Sequence, residues 1–461
     1  MRRQCTDIDV LVIGGGAAAL AAAIEARRIG CSVLLAERAP CHLRGGNTRH
    51  ARNLRLAHLA PTPFSPGAYP PATFWSELQR ATQNTADPLL GQRLVEGSLA
   101  IADWLQGAGV PLQPIAGHRL PESQRTVFLL GGGKTLVQRL YAHAKHLGIE
   151  IRYETEVTDP LLTGGRLLEV CCRKAEYKQL RPRAVIACCG GAQANRAWLA
   201  RHWGEAADGF INRGSPWVTG EFLAALLEQG AQAVGDPRGA YLVAVDGRSP
   251  ADDGGIVTRI RGIPEGIVVD QEGRRREDEG GDTASTRYAL WGRRLADWPR
   301  QIGYLLLDAR GLRAAPPALY PPISAATLGE LAIQLGIDPE ALRLTLDAYH
   351  AAIRPPRAPG DDWQALGLLP PKTRRAYPLV EPPFHAYPLR PGITFTAQGL
   401  AVGPDTRVRL ANGGVVENLF AAGMIMAPNL IPQGYLSGLA LTIGLVFGRI
   451  AGSEAARYVR C

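Results

Sequence analysis

Apolar positions run unbroken from Val10 to Ile13, stop at three glycines, and resume from Val33 to Ala36 after an alanine-rich stretch. A short apolar run closed by glycine is the pattern of a strand buried on both faces, and the alanine run predicts a helix. Asp9 to Glu37 therefore reads as strand, glycine turn, helix, second strand and a terminal acid. Gly14, Gly16 and Ala19 occupy the three small-residue places of G-x-G-x-x-G/A. Gly14 permits the tight turn, Gly16 lets a pyrophosphate approach the backbone, and Ala19 lets helix and strand pack closely. The helix N-terminus supplies free N–H donors and the positive end of its dipole. Glu37 follows Gly16 by twenty-one residues and is placed for ribose hydroxyls. Gly15, Ala18 and Arg38 flank these positions and join the candidate dinucleotide-binding set.

Paired glycines recur beyond this unit. Gly45-Gly46-Asn47-Thr48 suits a loop whose backbone approaches a cofactor and whose side chains bond it. Arg49, His50, Arg52 and Arg55 follow closely, forming either a solvated basic face or the wall of an anion-binding cavity. Residues 74–109 carry helical spacing. Gly131-Gly132-Gly133-Lys134 lacks the spacing of a phosphate-binding P-loop and reads as a turn feeding a helix over 135–147. The run 183–191 is a buried strand ending on Gly190-Gly191, which returns the chain to the first sheet. From 211 to 375 glycine, proline and charge rise and the strands shorten. That stretch predicts an inserted domain with helices over 324–335 and 338–352, the second capped by Asp338 with Pro339 at its first position. Residues 418–423 again read as a strand closed by glycine, Gly423. Pro432 to Gly438, with Gln433, Gly434, Tyr435 and Leu436, opens an apolar segment extending to Ile450. Glycines interrupt that segment, so it reads as a buried helix, too short for a membrane span.

The fold class that results is α/β. A discontinuous Rossmann-like domain (1–210 and 376–461) encloses an inserted α+β capping domain (211–375). With 461 residues, 46% of them hydrophobic and 20% charged, the chain has the balance of a globular protein with a large core. Net charge is +9, and only five of 51 basic residues are lysine. Arginine-rich coding usage explains this, as does attraction of an anionic substrate or cofactor. No basic block predicts a nucleic-acid partner. The eight cysteines form no Cys-x-x-Cys, which predicts reduced packing residues, no metal site and a cytoplasmic setting. The first strand starts too near Arg2-Arg3 for an export signal.

These motifs, in this order, together with the turn Arg274 to Glu279 and Phe420-Ala421-Ala422-Gly423, resemble the fumarate reductase/succinate dehydrogenase flavoproteins and 3-ketosteroid dehydrogenases. Four strings look like the FAD-dependent tricarballylate dehydrogenase branch. They are Gly45 to His58, Arg287 to Arg293, Tyr387 to Thr396, and Gln433 to Gly452. The resemblance implies FAD, with Glu37 on the adenosine ribose and Gly14 to Gly16 on the pyrophosphate; the lack of a clear histidine attachment signature predicts that it is held non-covalently. It puts Asn47 and Thr48 toward the flavin, and Gly423 and Leu436 along its ring. It implies oxidation of a CH–CH bond next to a carboxylate by hydride transfer to flavin N5. Arg287 matches the relatives' proton-relay arginine. An arginine is a poor base alone, since its pKa exceeds roughly 12, so Glu279 is the expected carboxylate partner. Arg49, His50, Arg52, Arg55, Arg390, Gln433 and Tyr435 are the candidates for carboxylate binding. The chain departs from the family at Thr394-Phe395-Thr396 and Asn429 to Gln433, where a histidine and an arginine are absent, and at Met424. The missing histidine and arginine argue against a fumarate-sized diacid, and Met424 argues against tricarballylate itself, so the expected substrate is a tricarballylate-like polycarboxylate.

The chain carries no cluster motif, so an external electron acceptor is expected, such as a membrane iron–sulfur protein that would hold the chain at the inner membrane. Two alternatives remain. One is a flavin redox component of a biosynthetic complex, of the cobalamin-ring type. The other is a ketosteroid-dehydrogenase-like enzyme, against which the arginines at 49–55 count.

Overall fold

The structure is a computed structural model that describes residues 8–115, 125–173, 177–281 and 287–461. The chain divides into two units. The larger comprises Met1–Trp198, Gly214–Ala240 and Phe395–Cys461; the smaller comprises Leu199–Arg213 and Tyr241–Thr394.

The larger unit is built on a six-stranded sheet. Its order is Arg407–Arg409, Val415–Ala421, Ala184–Ala187, Val10–Ile13, Val33–Ala36, Glu150–Arg152. All pairings are parallel except that of the edge strand Arg407–Arg409. Every residue of Val10–Ile13, Val33–Ala36 and Ala184–Ala187 is buried, as a parallel sheet covered on both faces requires. Val10 lies opposite both Val33 and Ala184, so the first strand is central and its C-terminal end opens onto Gly14. Asn418 ties a three-stranded antiparallel sheet (Glu156–Thr163, Arg166–Arg173, Tyr177–Leu180) to this frame. Its side chain accepts from Leu167 N at 2.9 Å and donates to Leu167 O at 2.8 Å.

The first helix, Ala17–Arg28, packs against the terminal helix, Leu439–Arg460. Gly444, Gly448 and Gly452 recur every fourth residue and face Ala18 and Ala22, where a Cβ on Gly448 or Gly452 would strike backbone. The terminal helix runs to Arg460, ten residues beyond the expected end. Among the described residues it is long and apolar enough to cross a membrane, so the reading of that segment as too short is corrected. In the fold most of it is buried in the larger unit.

The smaller unit is α+β. Phe384–Leu400 pairs antiparallel with Gly303–Leu307, which pairs with Ile267–Val269. Leu331, Leu335, Leu342, Leu346 and Tyr349 from the helices Leu328–Leu335 and Pro339–Ala352 fill one core cluster with Ile267 and Leu306. Trp291, Leu295 and Trp298 fill another with Val268 and Leu305. A Thr327/Glu330 capping box starts the first helix, and Asp338 caps the second, accepting from Glu340 N at 3.0 Å with Pro339 next. The units do not break at 210/211 and 375/376. Residues 376–394 go with the smaller unit: Ala376, Leu379 and Phe384 pack in its core, and His385–Leu389 of the long strand pairs with Gly303–Leu307. Gly214–Ala240 goes with the larger.

Candidate cofactor site

The glycines after the first strand are forced by what surrounds them. Gly14 holds φ +111, and a Cβ there would lie 2.6 Å from Cys188 O at the end of the neighbouring strand. At Gly15 a Cβ would collide with the Glu37 carboxylate and the Tyr141 hydroxyl. At Gly16 it would lie 3.2 Å from Thr48 Oγ1. Gly16 caps the first helix without a side-chain hydrogen bond, and the first intrahelical bond runs from Leu20 N to Gly16 O. Ala17 N donates to Thr48 Oγ1 at 2.9 Å. Helix geometry then leaves the N–H groups of Ala18 and Ala19 without intrahelical acceptors. This is an anion cradle: bare glycine backbone, outward N–H donors and a positive dipole end.

Glu37, at the tip of the second strand, is 5% exposed. Its Oε1 accepts from Ala39 N at 3.0 Å and its Oε2 from Gly45 N at 3.0 Å, with Tyr141 Oη 3.4 Å away. Burial pushes the carboxyl pKa up, and these donors oppose the shift. The same Gly45 N–H ties the second glycine pair to the first. Gly45, at φ +103, abuts Val137, and Gly423, at φ +81, abuts Ala18, where its Cβ would lie 2.8 Å from Ala18 Cβ. So Gly14, Gly15, Gly16, Ala18, Ala19, Glu37, Gly45, Thr48 and Gly423 converge at one helix N-terminus. These donors and spaces fit a dinucleotide: room for a pyrophosphate at the cradle and a buried carboxylate for a ribose.

A segment that sequence reading assigned to the capping domain covers this loop. Asn47 Oδ1 accepts from Ser215 N at 2.9 Å. Val218 sits against Gly190 and Gly46. Arg38 pairs with Glu156 at 3.1 Å and Glu221 at 3.0 Å and bonds Thr219. Thr396 Oγ1 accepts from Ala192 N at 3.0 Å, behind Gly191. Tyr141, Ser215 and Val218 were not expected here, and Thr396 was expected only as a departure from the family pattern. The Gly214-Ser215-Pro216 turn was the one available signal.

Other candidates are engaged elsewhere. Arg55 is 7% exposed; it bonds Glu77 at 2.8 Å, Tyr69 Oη at 2.9 Å and Ser437 O at 3.1 Å. It is a buried structural cation, and its expected substrate role is withdrawn. Gln433 donates to Thr82 O and Gln83 Oε1, both at 3.2 Å, and Gly434 packs on the Ala81 backbone. Both anchor the Pro71–Ala81 helix end. Glu279 is 1% exposed; it pairs with Arg275 at 2.6 Å and accepts from Val268 N at 2.8 Å. A carboxylate so held is structural, which removes it as the relay partner. Arg287 opens the helix Arg287–Ala296, and its side chain lies outside the described residues. Arg390 donates to Arg300 O at 3.1 Å, Arg49 to Leu43 O at 3.2 Å, and Arg52 stacks on Phe128 at 5.8 Å. His50 ends the short helix Gly46–His50. Tyr435 Oη accepts from Ala440 N at 3.3 Å, its ring 5.7 Å from Phe395, and Leu436 is half-buried beside it. Cys188 is buried and Cys189 half-buried, and desolvation pushes both thiols up. Among the described residues no cluster of three or more His, Cys, Asp or Glu is placed to hold a metal ion.

Comparison with known proteins agrees with this geometry. The family model described as "FAD binding domain" matches residues 9–431. The NADH:fumarate oxidoreductase of Klebsiella pneumoniae (strain 342) is 26% identical over 98% of this chain and 48% of its own length. The fumarate reductase (cytochrome) of Shewanella frigidimarina is 27% identical over 98% of this chain and 77% of its own. The chain thus spans about half of the first relative and three quarters of the second. Among solved structures, the open conformation of a flavocytochrome c3 fumarate reductase superposes with a TM-score of 0.77 at 21% identity, covering 99% of this chain and 79% of that one. These relatives are named for fumarate reduction, not for tricarballylate. The chain belongs to the FAD binding domain family and is an FAD-dependent oxidoreductase of the fumarate reductase/succinate dehydrogenase flavoprotein superfamily.

Proposed function

We propose that this chain interconverts a CH–CH and a C=C bond next to a carboxylate of a small polycarboxylate, tricarballylate-like in size, and exchanges electrons with a separate carrier. The observation that carries the reading is the FAD-domain match over residues 9–431, laid on a cradle whose glycines and buried acid fit that cofactor. Bound there, FAD supplies hydride exchange with a substrate carbon. Ala18 and Ala19 N–H hold the pyrophosphate, and Glu37 accepts the ribose hydroxyls. Gly190 and Gly423 keep the backbone open on either side.

The carboxylate beside the reacting bond acidifies the neighbouring C–H, and a cation facing it stabilises the charge that develops. Arg390, Arg49, Arg52, His50 and Tyr435 remain the candidates for that contact, and Arg287 for moving the proton. The reading of tricarballylate size rests on the four sequence strings and on the absent fumarate-binding histidine and arginine. The separate carrier, such as an iron–sulfur protein at the membrane, rests on the family resemblance and on the lack of a cluster-binding motif among these 461 residues.

Anaerobic mixing with a panel of di- and tricarboxylates tests this. A saturated polycarboxylate should bleach the flavin band, or its unsaturated counterpart should restore colour to dithionite-reduced protein. If no carboxylate does either while dithionite still reduces the flavin, the carboxylate reading fails and an electron-transfer role takes its place.

A further inference from the structure

Behind the Gly15 edge of the cradle stands an aromatic pair, one ring buried and the other half-buried, that the proposed chemistry does not use. Tyr141 comes from the helix Gly132–His146 and is 1% exposed. Its ring lies 5.9 Å from that of Tyr153, and the Arg44 guanidinium sits 4.8 Å above it. Its hydroxyl is 3.4 Å from Glu37 Oε2, and hydroxyl and carboxylate together fill the space a Gly15 side chain would need.

A carboxylate so buried holds its charge only if donors replace the lost water. Glu37 has two backbone donors, Ala39 N–H and Gly45 N–H, one per oxygen. Both belong to the loop leaving the second strand, so they fix the carboxylate against its own strand. Tyr141 comes from a different element, and its hydroxyl reaches Oε2 from the Gly15 side. The Arg44 cation over the ring favours the phenol as a donor, since it polarises the π system it faces.

We propose that Tyr141 is a positioning residue for the cofactor: its hydroxyl fixes Oε2 of Glu37 at the Gly15 edge, so that the carboxylate meets the adenosine ribose as an oriented anion. This rests on the reading of Glu37 as the ribose acceptor. Tyr141 is 1% exposed and reaches the cradle through Glu37, so its removal acts on recognition of the ribose hydroxyl.

The test compares the dissociation constants of FAD and its 2′-deoxyadenosine analogue for the apoprotein and for Tyr141→Phe, by flavin fluorescence. Wild type should prefer FAD by about tenfold, the worth of one hydrogen bond to a charged group. Tyr141→Phe should reduce that preference to within about threefold and move the acid limb of FAD affinity to higher pH, with the apoprotein melting midpoint near that of wild type. If wild type shows no preference, the ribose role of Glu37 falls, and the proposal with it. If wild type discriminates and Tyr141→Phe does so equally, with an unmoved pH profile, only the Tyr141 assignment is overturned. Should Tyr141→Phe not fold, 3-fluorotyrosine at position 141 keeps the ring and strengthens the donor. The acid limb should then move to lower pH, and an unmoved limb overturns the assignment.

Discussion

Gly448 of the terminal helix rests directly on Ala18 of the first: a Cβ on Gly448 would strike the Ala18 carbonyl oxygen and stand 3.0 Å from its Cα. The contact sets how closely the C-terminal helix approaches the helix whose N-terminus forms the anion cradle. Backbone cannot move aside as a flexible side chain can, so added volume must push the helices apart.

Gly448→Val should therefore destabilise the protein by about 2–3 kcal/mol, despite the gain from removing a helical glycine. It should also weaken FAD. Gly329→Ala, in a helix where an added Cβ meets nothing within 4 Å, should be neutral or stabilising by up to about 1 kcal/mol. Urea unfolding followed by circular dichroism reads both. Equal effects at the two sites would show that helix contact at Gly448 is not tight.

Arg55 and Glu77 give a second prediction. Their side chains are 9% and 11% exposed, and Glu77 is also met by Arg125 at 2.8 Å. Arg55→Met leaves a mostly buried carboxylate with a weaker, exposed partner, and should cost about 3 kcal/mol. Adding Glu77→Leu should recover part of that loss. The carboxylate concentration that half-bleaches the flavin should not move in the double variant. A large shift there, without loss of stability, would restore Arg55 to substrate binding.

What could be read from sequence is what is local. Gly14, Gly16, Ala19 and Glu37 sit within one strand-helix-strand unit, and their spacing alone brings them together. Asn47 and Ser215 are 168 residues apart, and no periodicity tells which distant turn will close over a loop. Arg55 shows the matching limit for charge. A cluster of arginines looks alike whether it faces a ligand or a buried partner, and Glu77, an ordinary position on an amphipathic helix, gave no sign that it was that partner. Glu279 went the same way, because a Glu four residues after Arg275 fits both a relay and an internal ion pair.

Lys372 gives a pH prediction. It is fully buried, with Nζ bonded to Pro264 O at 3.0 Å and Gly266 O at 2.8 Å. Burial, against attraction by Glu279, brings its pKa down to about 8. Between there and the ordinary lysine value near 10.5 the unfolded chain binds the extra proton. Stability contributed at this site therefore rises with pH across that window, and is at its lowest below pH 8. The stability of wild type relative to Lys372→Met should increase from pH 7 to pH 10, by at most about 3 kcal/mol. A difference that is flat or falls with pH would mean that the ammonium is solvated.

The last prediction concerns the segment that covers the cofactor loop. Asn47 Oδ1 is the acceptor for Ser215 N, and three residues on Val218 packs against Gly190 and Gly46. Arg38 reaches Glu221 in the same segment. If Asn47 fastens this segment, Asn47→Ala should leave the fold intact yet raise the FAD dissociation rate about fivefold, the worth of roughly 1 kcal/mol. The Ser215 amide should then exchange hydrogen faster. Asn47→Asp retains an acceptor at the same reach, so its Ser215 amide should stay protected. The ordering of the three proteins carries the argument, because general loosening would lower protection throughout the larger unit. An unchanged Ser215 amide in Asn47→Ala would show that the segment is held without Asn47.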